Sequence, residues 1–177
     1  NLTHTRERLL LTLDNAVGLP AVTDTARCAF QVQQHRWLLA GRSAHAAWRS
    51  LIYALRGRQQ AVWLPTHAED MKLAAQAAGS QMPIKRIGYA RFGLGTPGRN
   101  TLRIELSDGS IIYGRVTAVV ESGDMETLTI DPPLPATIWP DDVLRISYLA
   151  LFRLAADDVR IEHLTDADGY ARISLTF

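Results

Sequence analysis

Hydrophobic and polar positions alternate with a period of two along most of this chain, and one helical spacing interrupts them. Cys28, Phe30 and Val32 alternate with Arg27, Gln31 and Gln33, the signature of a strand with one buried face. Ala44, Ala47, Trp48, Leu51, Ile52 and Leu55 then fall at three-and-four spacing. That predicts an amphipathic helix capped by Ser43, ended by Gly57 and packed through its Trp48 face on a sheet. Ahead of both, Thr5 to Leu13 contains helix-forming Arg and Leu, but Gly18, Pro20 and Thr23 break the pattern, so the segment reads as an extended arm. Ala61 to Leu64 is a short strand closed by Pro65, and Lys72 to Ala78 fits either strand or helix.

From about Ile84 the β signals are uninterrupted. Leu102, Ile104 and Leu106 alternate with Thr101, Arg103 and Glu105; Ser107, Asp108 and Gly109 supply a tight turn, and Ile112 to Val120 returns as a hairpin partner. Leu128 and Ile130 make a third short strand before Pro132, Pro133 and Pro135, which exclude regular pairing in that loop. Leu144, Ile146, Tyr148, Ala150, Phe152 and Leu154 alternate along a strand long enough to join two substructures. Val159 and Ile161 pair through the Thr165 to Gly169 turn with Ala171, Ile173, Leu175 and Phe177. The expected fold is mainly β with one main helix.

Strand counting predicts an interrupted domain. The strand, helix and strand up to Ile84 are too few to cover their own helix, and the terminal hairpin supplies the missing edge. Residues 1–84 and 148–177 would form a β-sandwich-like belt domain, with 85–147 a small inserted β-barrel. No fixed-period repeat or low-complexity tract occurs.

Composition narrows the function classes. With 177 residues, 47% of them hydrophobic and 21% charged, the chain can bury roughly 70% of its unfolded surface. Nineteen Lys and Arg against 18 Asp and Glu give a net charge of +1, so there is no general basic field to draw the protein onto DNA or anionic membranes. The single cysteine, Cys28, excludes an internal disulfide and a thiolate zinc site and suits a reducing compartment. No signal-peptide pattern and no apolar run near the roughly 18 residues of a membrane span is present. The chain begins with Asn1, so its true start stays open.

The candidate chemistry is sparse. GLGTPG, Gly93 to Gly98, has the spacing of a dinucleotide loop, but Pro97 and a strand at Thr101 follow where a helix is required, which favours a flexible inter-domain loop. THAED brings His67, Glu69 and Asp70 together as metal ligands or an acid and base, but His35, His45 and His163 have no spacing that nominates them as further ligands, and the motif reads as a polar loop after a strand. TDADG, Thr165 to Gly169, resembles a fragment of a calcium loop without its glutamate and reads as a turn. Cys28, inside an alternating strand, is a small buried hydrophobe, and no G-x-S-x-G elbow exists. Arg56 and Arg58 flank the helix stop, where cations complement the helix dipole. Arg49, Arg56 and Arg58 do not make a phosphate-reading face, and Trp37, Trp48 and Trp63 read as core rather than as stacking platforms. An enzyme is not expected.

The block WRSLIYALRGRQQAVWLPTHAED, Trp48 to Asp70, resembles the helix, R-G-R, aromatic-strand and acidic-loop block of minor tail proteins of long-tailed bacteriophages, in particular distal-tail or baseplate components. The ending ALFRLAADDVRIEHLTDADGYARISLTF, Ala150 to Phe177, is similar to their closing strands. Both blocks lie in the expected interrupted domain and encode packing rather than a reaction. The resemblance implies a β-rich belt domain that assembles into a ring at the tail tip, with a smaller barrel decorating it. It offers no catalytic residues.

On that basis the expected function is structural: a virion tail component, assembled in the bacterial cytoplasm, that oligomerises, joins tail tube to hub or fibres and keeps the central channel open. Arg58, Gln59, Gln60, His67, Glu69 and Asp70 are the expected subunit contacts. The expected partners are copies of itself and other tail proteins, with no cofactor, membrane or sequence-specific nucleic acid. A second reading is a carbohydrate-binding module at a host surface, using Tyr89, Phe92, Tyr113 and Trp139 of the barrel. A third is a metal-dependent hydrolase built on His67, Glu69 and Asp70.

Overall fold

The computed structural model describes residues 2–14, 16, 18–25, 30–165 and 169–177, with only the backbone of Leu2, His4 and Phe30. Cys28 and the centre of the TDADG turn, Asp166 to Asp168, lie outside the described residues. In chain order the elements are β1 (Leu2–Glu7), β2 (Leu10–Leu13), β3 (Ala21–Asp24), β4 (Phe30–Ala40), α1 (Gly41–Leu55), β5 (Val62–Pro65) and β6 (Gln81–Lys85). There follow α2 (Tyr89–Phe92), β7 (Thr101–Leu106), β8 (Ile111–Ser122), β9 (Met125–Asp131), β10 (Val143–Phe152), β11 (Ile161–His163) and β12 (Tyr170–Thr176). The protein is mainly β with one main helix and open antiparallel sheets.

The chain divides into two compact units, residues 1–61 with 153–177 and residues 62–152. The sequence placed these divisions at 84/85 and 147/148. β5 and β6 belong with the second unit because β5 pairs along Leu149 to Phe152 of β10 and β6 pairs along β9.

In the first unit, the four-stranded sheet has the order β1-β4-β12-β11, so the terminal hairpin lies beside β4. β4 is longer than its alternation predicts; among its described side chains Gln33, His35 and Leu39 are buried and Val32 is half-buried, while the Cys28 and Phe30 side chains of the expected set lie outside the described residues. Two polar residues face inward because their surroundings satisfy them in part: His35 Nε2 lies 3.0 Å from Gln33 Oε1, and the ring stacks on Trp37. The backbone of Gln33 exchanges two hydrogen bonds with Phe177.

α1 begins at Gly41, and its N-cap is Ala40, without a side-chain cap, three residues before the expected Ser43. It ends through Arg56 and Gly57, both left-handed. Trp48 and Leu55 are its buried residues, and Trp48 packs on Trp37 with ring centroids 4.8 Å apart. Leu51 and Ala47 stay exposed, while His45 is half-buried and bonds Gly169 O at 2.7 Å. The buried stripe is therefore turned toward Ala44, His45, Trp48, Ile52 and Leu55. β2 and β3 form a separate two-stranded hairpin that pairs with no other strand among the described residues.

The second unit holds a six-stranded sheet of order β5-β10-β7-β8-β9-β6. Its inner face carries Leu102, Ile104, Val116, Leu128, Ile130, Met82, Ile84 and Ile146, all essentially inaccessible to water. The expected closed barrel is not found among the described residues. The segment 71–78 makes isolated bridges from Met71 to Ile146 of β10 and from Leu73 to Ile84 of β6, and is neither the strand nor the helix its sequence allowed.

Candidate functional site

The outer face of the six-stranded sheet is built by alternation. Residues 102, 104, 146 and 148 point into the core, so 101, 103, 147, 149 and 151 point away from it. Register then sets the neighbours: Leu151 lies opposite Trp63, Leu149 between Pro65 and Thr101, Thr101 opposite Arg115, and Arg103 opposite Tyr113. Trp63 and Tyr113 are each 53% exposed. Two clefts share the Trp63 side chain in their lining. One of about 550 Å³ is lined by Pro97, Asn100, Thr101, Arg115, Leu149 and Leu151 among others, and one of about 470 Å³ by Pro65, Thr101, Arg103, Tyr113 and Leu149. The expectation that Trp63 belongs to the core is overturned. β5 is an edge strand only four residues long, and nothing in this unit covers its outward side.

Charged groups brace one end of this face. Glu105 accepts from Arg103 at 2.7 Å and from Arg145 at 2.8 Å, and these hydrogen bonds hold its carboxyl below the usual carboxylate range. Arg145 also donates to His67 O at 2.8 Å. The 66–70 loop is tied down further by Ser147 Oγ donating to Ala68 O and by the Tyr148 N–H donating to Asp70 Oδ2 at 2.9 Å. The Thr66 hydroxyl donates to the same Asp70 oxygen.

This accounts for the second half of the expected contact set. Asp70 is an internal strut, Glu69 pairs with Lys72 at 2.9 Å on the surface, and His67 is exposed in a left-handed conformation. The three do not converge as ligands, and no group of three His, Cys, Asp or Glu among the described residues could hold a metal ion. Arg58, Gln59 and Gln60 lie in the other unit. Arg58 binds the Asp157 carboxylate through its backbone N–H at 2.9 Å and its guanidinium at 3.2 Å, in place of the expected helix carbonyls, and this holds that carboxyl below its ordinary range. Gln59 and Gln60 are exposed.

GLGTPG lies wholly inside the second unit, which corrects the inter-domain placement. It follows the single turn of α2 and is held by local hydrogen bonds, including Gly95 N to Asn100 Oδ1 at 3.1 Å, and β7 follows it. No helix N-terminus is available for a pyrophosphate. Of the aromatics expected on the barrel, Tyr89 is buried, with its hydroxyl donating to Arg99 O at 2.8 Å and burial pushing its pKa up. Phe92, Tyr113 and Trp139 are 71%, 53% and 55% exposed.

A second surface, in the first unit, was not nominated by sequence. The β2–β3 hairpin exposes Leu9, Leu10, Leu11, Leu13, Leu19 and Val22, each by more than half. Pairing of Leu11 with Thr23 and Leu13 with Ala21 puts two leucines on one side, while Leu10 and Val22 lie on the other. The signal was present as a run of leucines in the arm, but only its lack of a covering element gives it meaning. Among the described residues no helix is long and apolar enough to cross a membrane. Compared with known proteins, the chain matches no family model and no curated protein.

Proposed function

We propose that this protein is a structural component of a bacteriophage tail tip or baseplate, which forms a ring-like homo-oligomer and joins the tail tube to hub or fibres. The belt-like role falls to the unit containing α1, and the six-stranded sheet decorates it. The observation that carries the assembly reading is the β2–β3 hairpin, apolar on both sides and, among the described residues, paired only with itself. A lone two-stranded hairpin is at best marginally stable in water. Covering six aliphatic side chains already more than half exposed recovers about 1–2 kcal/mol each, or about 6–12 kcal/mol in all, comparable with the cost of associating two proteins. The tail-tip assignment itself rests on the resemblance of Trp48–Asp70 and Ala150–Phe177 to phage minor tail proteins. Light scattering over a concentration series tests the assembly: a discrete multimer is expected for the native chain and a monomer for Leu11→Ser/Leu13→Ser, whereas a native chain that stays monomeric at all concentrations overturns it.

One observation favours a second reading, a host-surface carbohydrate module: Phe92, Tyr113 and Trp139 are exposed, as such a module requires. Retention of the folded protein on immobilised glycans, lost with Tyr113→Ala, is its expected signature.

A further inference from the structure

We infer that a recess of the second unit lined by Lys72, Lys85 and Arg145 binds a dianionic phosphoryl group.

The pairing of the chain forces two like charges together. Leu73 bridges Ile84, with the Ala74 N–H donating to Pro83 O at 3.0 Å and the Lys85 N–H donating to Lys72 O at 2.9 Å, so Lys72 stands opposite Lys85. Leu73 and Ile84 are buried, and by alternation both lysines lie on the outer side, where both are exposed. Opposite residues of an antiparallel pair stand about 4.5–5.5 Å apart at Cα, and like charges so placed repel. Lys72 has one partner, Glu69 at 2.9 Å, and both side chains of that pair are about half exposed, so it contributes little. Lys85 makes no ion pair among the described residues.

A third cation is fixed beside them. Arg145 precedes Ile146, which bridges Met71, and its guanidinium donates to His67 O and to Glu105 Oε2, both at 2.8 Å. Glu105 also accepts from Arg103, so its single charge does not neutralise Arg145. Two of the five N–H groups of Arg145 are thereby occupied, and its buried Nε has no acceptor among the described residues.

Lys72, Lys85 and Arg145 line one recess of about 190 Å³ with Glu69, Met71 and Ile146 among others. Three cations against one carboxylate leave this lining with a net charge of +2. Asp141 and Asp142 follow the lining residue Pro140 without lining the recess themselves, and Asp142 Oδ2 is taken by the Trp139 N–H. The volume lies below the roughly 300–1,000 Å³ of pockets that enclose a whole organic ligand, so the recess takes a single chemical group. A phosphoryl group carries a charge of about −1.5 to −2 at pH 7 and three acceptor oxygens, one for each cation. A carboxylate brings one charge and two oxygens and leaves a cation unmatched.

Phosphorus NMR of inorganic phosphate titrated against the full chain, with ionic strength held constant by chloride, tests this. Saturable broadening is expected with the native chain, displaced by sulfate. Affinity should fall by about tenfold or more in Lys85→Gln and in Lys72→Gln, both exposed positions. Arg115→Gln, which removes the same charge outside the recess, should bind as the native chain does. Broadening that does not saturate, that survives both lysine substitutions, or that falls equally in Arg115→Gln shows an adventitious ion only and overturns the proposal. Acetate displacing phosphate as well as sulfate does gives the recess to a carboxylate and overturns it too. Glycerol 3-phosphate separates the sources: displacement of phosphate assigns the recess to the terminal group of a monoester, and failure to displace it assigns the recess to the free ion; either upholds the phosphoryl group.

Discussion

Glu126 offers the sharpest test of how the second unit holds itself together. Its side chain is fully buried in β9, yet it makes no ion pair among the described residues. Its carboxylate accepts instead from three backbone N–H groups at the turn leading into α2: Ile87 at 2.9 Å and Tyr89 at 3.0 Å on one oxygen, and Ala90 at 2.9 Å on the other. Burial alone would push its pKa up; the N–H groups of Ala90, Ile87, Tyr89 and Gly88 outweigh that and hold it below the ordinary 4.5. Glu126→Gln keeps the shape but turns one acceptor into a donor facing an N–H. At about 1–3 kcal/mol for a buried unsatisfied donor, with the Tyr89 N–H fully buried and the other two partly so, the expected cost is about 2–4 kcal/mol. That is a large share of a typical domain stability of about 5–15 kcal/mol. Because the folded pKa is depressed, the group's contribution is complete above about pH 4.5 and is lost as pH falls through the lower folded value. Urea unfolding at pH 7 and across pH 5 to 2.5 reads both effects. The variant should show a lowered midpoint at pH 7 and a shallower acid slope than the native chain. An unfolding free energy within about 0.5 kcal/mol of native, with an unchanged acid slope, would refute the reasoning.

Two further substitutions probe neighbouring parts. Gly93→Ala should lower the thermal midpoint clearly, because a Cβ there would overlap the Tyr89 ring that packs beneath the turn, and overpacking costs about 1–3 kcal/mol; an unchanged melt would show that the ring can move at no cost. Asp70→Ala should destabilise by about 1–3 kcal/mol, since it removes the acceptor of the Tyr148 N–H. If its folded fraction assembles normally in light scattering, Asp70 is a strut only and leaves the set of subunit contacts.

Much of the strand inventory was legible because period-two alternation is a local property wherever one face meets apolar neighbours. The β7–β8 hairpin and the row Ala171, Ile173, Leu175 and Phe177 read correctly from spacing, as does the row from Ile146 to Leu154, although its expected first member, Leu144, is exposed and the alternate Ser147 and Leu149 are buried as well. The rule failed on β4, where Gln33 and His35 occupy the buried face. Their burial depends on what meets them there: His35 Nε2 and Gln33 Oε1 partner each other at 3.0 Å, and the His35 ring packs edge-on against Phe177 from the far end of the chain. The helix was legible as well, but its facing was not: His45 turns inward because Gly169 supplies a carbonyl 124 residues away.

By itself, then, the sequence determined the mainly β character, the single amphipathic helix and the turns, because these follow from side-chain period and backbone preference within a few residues. Tertiary structure alone decided that the six-stranded sheet stays open, that Glu126 is buried against a turn, that Trp63 faces water at a strand edge, and that a leucine-rich hairpin is left uncovered. Burial is a property of what stands opposite a residue, and strand order, which no local pattern encodes, decides what stands there.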